Sequence, residues 1–149
     1  LASRARLGSG TLTPLPTRDA VIVILSVLLL ARKQRLPVSK LLQQLPPRFT
    51  ASNRLEQFPT AASRKLLQQL DTGKGADYSR IENIFGNQFG RVQETDQTDG
   101  LRITFESGEI AHLRPSGNAP ELRCYNEAGT EEKAADMNRI CLKLLDSMR

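Results

Sequence analysis

The chain has 149 residues, 39% of them hydrophobic, and a formal net charge of +5. That length suits one domain or two small ones, and a pI near 9.6 leaves nucleic acid, acidic surfaces and phosphorylated small molecules open as partners. A single histidine and two cysteines, Cys124 and Cys141, in no ligand or redox spacing argue against a zinc site and point to a reducing, cytoplasmic setting.

The chain opens on Leu1 rather than Met, and residues 1–9 carry no apolar core of a signal peptide. It reads as a piece of a longer protein. Residues 1–16 are rich in Arg, Gly, Ser and Pro and read as loop or frayed start. Thr17 is placed to cap a helix, with Asp19 in its first turn. Ala20 to Ala31 is almost wholly apolar and closes on Arg32, Lys33 and Arg35. A bilayer span needs about 20 apolar residues, so this run predicts a helix buried on most sides. Nothing upstream supplies a sheet to cover it, so its partners are expected elsewhere. Val38 to Leu45 predicts a short amphipathic helix. Pro46-Pro47 stops it and marks the boundary between segments 1–47 and 48–149.

Arg48 to Leu55 reads as an extended linker or edge strand. Thr60 is placed to cap a helix over Ala61 to Leu70, with Ala62, Leu66, Leu67 and Leu70 on one face. Asp71 to Ala76, holding Gly73 and Gly75, is loop, and Asp77 to Phe85 a short helix. A strand from Phe89 to Thr95 leads to a turn at Gln97-Thr98-Asp99-Gly100. Leu101, Ile103 and Phe105 then alternate with Arg102, Thr104 and Glu106, the period of a half-buried strand. Ser107-Gly108 turns the chain into a strand over Glu109 to Leu113, and Leu122 to Glu127 follows a loop. Thr130-Glu131-Glu132-Lys133 opens a last helix with a cap and an acidic first turn. It runs to Ser147 and buries Ala134, Met137, Ile140, Cys141, Leu144 and Leu145. The second segment is thus α+β, with a four-stranded antiparallel sheet and helices packed on it.

The chemistry concentrates in the loop Arg114-Pro115-Ser116-Gly117-Asn118-Ala119-Pro120. Arg114 offers planar donors that fit a phosphate bidentately. Ser116 and Asn118 add neutral donors, and Gly117 lets backbone amides turn toward an anion. A stiff hairpin connection accounts for Pro115, Gly117 and Pro120, but does not require Arg114, Ser116 and Asn118 together. His112 lies on a strand, on the same face as Ile110 and Arg114, and reads as a packed or half-exposed side chain rather than a catalytic base. Asp96 and Asp99 flank a turn, whose chemistry explains them. The basic residues are dispersed and not interleaved with aromatics, so nucleic acid is the weaker partner class.

Asp99-Gly100-Leu101-Arg102-Ile103-Thr104-Phe105, followed by Arg114-Pro115-Ser116-Gly117-Asn118-Ala119-Pro120-Glu121-Leu122-Arg123 and Tyr125, resembles the C-terminal domain of the α-D-phosphohexomutases. The likeness is greatest to their bacterial phosphomannomutase branch, which Leu15 to Ala20 and Arg48 to Leu55 also resemble. The resemblance implies a four-domain enzyme in which a phosphoserine exchanges phosphoryl groups with a hexose phosphate, with Mg2+ held by an acidic loop. It makes residues 48–149 the fourth domain, TATA-box-binding-protein-like in fold, and residues 1–47 a helical remnant of the third, α/β domain. Carried over by position, Arg114, Ser116, Gly117 and Asn118 grip the phosphate that is not reacting. Asn118 and Ala119 depart from the commoner Thr and Glu of the family loop. No catalytic or metal-ligating residue is expected in this chain, because the phosphoserine and magnesium loops lie upstream in the family. The implied partners are a mannose or glucose phosphate and the remaining domains, with no membrane. Phosphoglucomutase, phosphoglucosamine mutase and a non-enzymatic basic binding module stay open as alternatives. Residues Pro46 to Thr50 are the candidate hinge.

Overall fold

A computed structural model describes residues 5–7, 9–13, 20–71 and 77–148. The chain divides into two compact units between Pro46 and Pro47. The predicted cap at Thr17, the acidic Asp19 and the glycines at 73 and 75 lie outside the described residues.

In the first unit, β1 (Ala5–Leu7) and β2 (Gly10–Leu12) pair as an antiparallel hairpin. This corrects the expectation of plain loop there: strands of three residues are too short to leave a period-two pattern. The apolar run forms α1 (Ala20–Gln34), with Arg32 and Lys33 in its last turn, where cations suit the helix dipole. Arg35 ends it in the left-handed region at φ 55°, and the Leu36 N–H donates back to the Ala31 carbonyl at 3.0 Å. The predicted burial of this helix is not met within the described residues. Val23, Ile24 and Leu28 are 50% or more exposed, and Ala31 alone is buried. A helix apolar all round needs cover on every side, and the three-residue hairpin strands are the only strands described in this unit. A short helix α2 (Val38–Leu41) runs into a 3-10 turn at Leu42–Gln44, ahead of the two prolines.

The second unit is built on a five-stranded antiparallel sheet. Its strands are β3 (Phe49–Leu55), β4 (Val92–Asp96), β5 (Leu101–Phe105), β6 (Ile110–Pro115) and β7 (Leu122–Ala128), in spatial order β3-β7-β6-β5-β4. The predicted count was four. The fifth is the stretch read as linker or edge strand: it pairs with β7 along its whole length, from Phe49 opposite Ala128 to Leu55 opposite Leu122. Its polar side chains, solvated on an edge, hide that pairing from a pattern search.

One sheet face is buried. Leu101, Ile103, Phe105, Leu113, Leu122 and Cys124 point from it into the core, as the alternating pattern requires. Helix α3 (Thr60–Leu70) adds Leu66, Leu67 and Leu70. Ala62, read on the same face, is exposed, and Ser63 takes the buried position. A helical stretch follows as α4 (Ser79–Ile81), a π-helical turn (Glu82–Gly86) and α5 (Asn87–Phe89). It runs one turn beyond the predicted end at Phe85, and Gly90 stops it at φ 84°. The first strand residue is accordingly Val92 rather than Phe89, and the Val92 N–H donates to Glu82 Oε1 at 2.9 Å.

Helix α6 (Glu131–Asp146) is capped as predicted: the Thr130 hydroxyl accepts from the Lys133 N–H at 3.2 Å. Its buried stripe is Ala134, Met137, Asn138, Cys141 and Leu145. Asn138 replaces Ile140 and Leu144, which are only partly buried. An asparagine can face the sheet here because polar atoms of β7 bond it: its Nδ2 donates to the Cys124 carbonyl at 3.0 Å and to Asn126 Oδ1 at 2.9 Å.

Candidate phosphate-binding loop

The loop between β6 and β7 is held by main-chain bonds at its base. The Ser116 N–H donates to the Glu121 carbonyl at 2.9 Å, and the Glu121 N–H to the Ala119 carbonyl at 2.8 Å. Helix α3 braces it from the side, because the Thr60 hydroxyl donates to the Ser116 carbonyl at 3.2 Å. Thr60 is thus a loop support and not the predicted cap; Pro59 holds the capping position. The Phe58 N–H adds a bond to the Pro120 carbonyl at 2.8 Å.

The four predicted residues are brought together, in unequal roles. Arg114, on the strand that leads into the loop, stands on the exposed sheet face. Its Nε lies 3.0 Å from Asp99 Oδ1. Ser116 is 2% exposed. Its N–H is taken by Glu121, and its hydroxyl donates to Asn118 Oδ1 at 3.1 Å. A hydroxyl has one proton to give, so Ser116 in this state braces Asn118. That bond fixes the amide of Asn118 with its Nδ2 donors remaining. Gly117 is exposed and lies outside the left-handed region, and a Cβ there would meet nothing within 4 Å. The expected need for a glycine at this point is therefore not met. Among the described residues, the backbone N–H groups of Gly117, Asn118 and Ala119 engage no acceptor. Three consecutive unengaged amides, three to five residues after Arg114, form a donor set suited to an oxyanion.

Sequence reasoning missed the neighbours that strand register supplies. Arg123 lies directly opposite Arg114 across β6 and β7, and Arg54 directly opposite Arg123 across β3 and β7. Three arginines thus form one row on the exposed face. Glu121 sits against the row, its Oε1 3.1 Å from Arg54 Nε and its Oε2 3.5 Å from Arg123 Nε. Asp99 is part of a structured turn. Thr98 hydrogen bonds, from side chain and backbone, hold the Asp96 carboxyl below its usual range. His112, two pairs further along the sheet and opposite Tyr125, bonds through Nε2 to the Asp99 carbonyl at 2.6 Å. Its ring, partly buried, therefore supports the turn. Residue types along the sequence carry no signal for these cross-strand neighbours.

Among the described residues, no group of three or more His, Cys, Asp or Glu side chains comes together to hold a metal ion. The donor set at the loop is cationic and suits an anion. Nor is any described helix long and apolar enough to cross a membrane.

Fold and loop together define an α+β module that carries an arginine-flanked turn with unengaged amides. Residues 35–140 match the family model "Phosphoglucomutase/phosphomannomutase, C-terminal domain", and the chain belongs to that family. Among curated relatives, a phosphomannomutase of Sinorhizobium fredii is 39% identical over 99% of this chain and 30% of its own length. A phosphomannomutase of Salmonella muenchen is 37% identical over the same shares. A probable phosphoglucosamine mutase of Methanosphaera stadtmanae is 29% identical over 63% of this chain and 20% of its own length. The chain thus spans about a third of the length of the phosphomannomutases it matches.

Proposed function

We propose that residues 48–149 grip the phosphate of a hexose phosphate as the fourth domain of a phosphomannomutase, the isomerase that interconverts mannose 6-phosphate and mannose 1-phosphate. The observation that carries the reading is the run of unengaged amides at Gly117, Asn118 and Ala119, in the loop that the Arg114 strand leads into. Arg114 supplies charge and two parallel donors. The amides and the Asn118 side chain supply neutral donors that read a phosphate from any side. Such a grip does not depend on which sugar carbon bears the phosphate. It serves an enzyme that must hold its substrate in two orientations. Arg123, opposite Arg114, adds a second cation within the same field.

Phosphoryl transfer and its Mg2+ belong, on this reading, to other domains of the enzyme. The described residues of this chain offer no ligand cluster for that ion, and no step here runs through it. Residues 1–47 are assigned to the tail of the third domain; the exposed apolar surface of α1 is what the sheet of that domain would cover. The setting is cytoplasmic. Each arginine of the row stands near a carboxylate, which offsets the field a nucleic acid would follow and disfavours the polyanion reading. Relatives called probable phosphoglucosamine mutases keep that sugar as the second reading.

Mannose 1-phosphate titrated into the chain should shift the amides of Gly117 to Ala119 first, and free mannose should not. Arg114→Ala should abolish the response. A flat response to the phosphosugar sinks the proposal. The chain alone should show no mutase turnover.

A further inference from the structure

Three separate contacts converge on the turn that precedes β5. The Asp99 carbonyl is held by His112 Nε2 at 2.6 Å. The Asp99 carboxylate meets Arg114 Nε at 3.0 Å. Between these side chains, Gly100 lies directly on β6: a Cβ at this position would stand 2.3 Å from the Leu113 carbonyl oxygen and 3.1 Å from Arg114 Cα. The turn is tied from its other end as well, by the Thr98 N–H donating to Asp96 Oδ1 at 2.7 Å and by Gln97 Nε2 donating to the Asp71 carbonyl at 3.2 Å. It is therefore a rigid block pressed against the backbone of the phosphate-binding arginine, with a carboxylate aimed at that arginine's side chain.

A guanidinium has two hydrogen-bonding edges. The carboxylate engages it at Nε. The edge formed by the two terminal Nη groups is left to match a phosphate bidentately. Without a partner, an arginine on an exposed strand samples many rotamers, and ordering it on binding subtracts from affinity. A carboxylate on the Nε side removes that freedom before the ligand arrives. It also repels a phosphate dianion, but across solvent-exposed groups that repulsion is screened, whereas the orientation it imposes is not.

We propose that Asp99 is a positioning residue for anion binding, holding Arg114 by its Nε so that the terminal edge faces the loop amides. The ligand class is a phosphate group, and the inference rests on the phosphate-binding reading above.

The test titrates inorganic phosphate into the 149-residue chain at constant ionic strength, following the amides of Gly117 to Ala119 and the Arg114 Nε–H signal by NMR. Asp99→Ala should weaken phosphate binding about threefold to tenfold and expose the Arg114 Nε–H to rapid exchange. Asp99→Asn, which keeps the acceptor and drops the charge, should restore both to near the parent values. A merely structural role would not be rescued in this paired way. Binding by Asp99→Ala that is unchanged or tighter, while Arg114→Ala abolishes it, overturns the inference and leaves the phosphate site standing. Phosphate binding that Arg114→Ala leaves unchanged overturns the phosphate reading instead. The Nε–H signal decides the clamp without ligand: equal protection in the parent and Asp99→Ala refutes it.

Discussion

Arg54 and Arg123 face each other directly across β3 and β7, and the carboxylate of Glu121 reaches both. Like charges opposed in an antiparallel pair are destabilising. Here a single carboxylate, 19% exposed, bridges them and continues from the loop that Arg114 flanks. Glu121→Gln should therefore destabilise the second unit by about 0.5–1 kcal/mol. The loss should shrink as salt screens the arginine pair. Urea unfolding at 20 mM and 500 mM salt, roughly a fivefold change in Debye length, checks both parts. A loss independent of salt would assign Glu121 to loop geometry instead.

Asn138 is the polar residue on the buried stripe of α6, and its amide donates to the Cys124 carbonyl and to Asn126 Oδ1. Asn126 is itself fully buried, accepting from Cys124 Sγ at 3.2 Å and donating to the Ile110 carbonyl at 3.4 Å. The helix is thus joined to β7 by a polar network inside an apolar core. Asn138→Ala removes the donor and leaves its acceptors dry. It should cost about 1–3 kcal/mol, read as a lower midpoint in thermal or urea unfolding. Asn138→Asp should cost more, since it turns both bonds into repulsions between acceptors. Equal stability of Asn138→Ala and the parent would mean that Asn126 repartners without loss.

These two cases show what the amino-acid sequence discloses and what it withholds. The alternation over Leu101 to Phe105 and the Thr130 cap are local, and both are legible from neighbours a few residues apart. So is the donor-rich character of Arg114 to Asn118, which depends on residue type. Asn138 on a buried face is not legible, because a polar side chain goes inside only where a distant acceptor meets it. The arginine row depends on register: a slip of one residue in β3 would move Arg54 to the other face. The role of Ser116 is invisible for a related reason. Its hydroxyl proton goes to Asn118, two residues away, only once the loop has closed. The strand over Phe49–Leu55 is legible only as linker or edge strand, because an edge strand can be polar on most of its length.

Glu109 gives the fold a pH dependence with a definite sign. It is buried at the β5–β6 turn, which pushes its carboxyl up. The ammonium of Lys133 and the hydroxyl of Ser107, both hydrogen-bonded to it, outweigh that and hold it below the ordinary carboxylate range. A carboxyl lowered on folding stabilises the native state above its unfolded pKa of about 4.3. That contribution is lost as pH falls through the lower folded value. Lys133→Met removes the ammonium and leaves a buried charge short of a partner. It should destabilise by about 1–2 kcal/mol at pH 7. The difference from the parent should narrow below pH 4, roughly where Glu109 takes up a proton in both proteins. Urea midpoints from pH 7 to pH 3 test this, and a difference that stays constant with pH would contradict it.

Gly100 and Gly117 lie at the two ends of the same site and should respond oppositely to one added methyl. Gly100 has φ 85°, and a Cβ would stand 2.3 Å from the Leu113 carbonyl oxygen. That oxygen and Arg114 Cα, 3.1 Å from the same Cβ, are both backbone, so neither can move without shifting β6. Gly100→Ala should destabilise by about 2 kcal/mol or more. Because the displaced segment carries Arg114, it should also weaken phosphate binding under conditions where the variant is still folded. Gly117 is outside the left-handed region, and a Cβ there meets nothing within 4 Å. Gly117→Ala should stay within about 0.5 kcal/mol of the parent in stability. Any loss of phosphate affinity in that variant then reports the space a bound anion needs, since the unliganded loop has room for the methyl. Thermal unfolding and phosphate titration of the two variants side by side separate backbone support from ligand clearance. Equal destabilisation by the two substitutions would contradict the geometry of the Asp99-Gly100 turn.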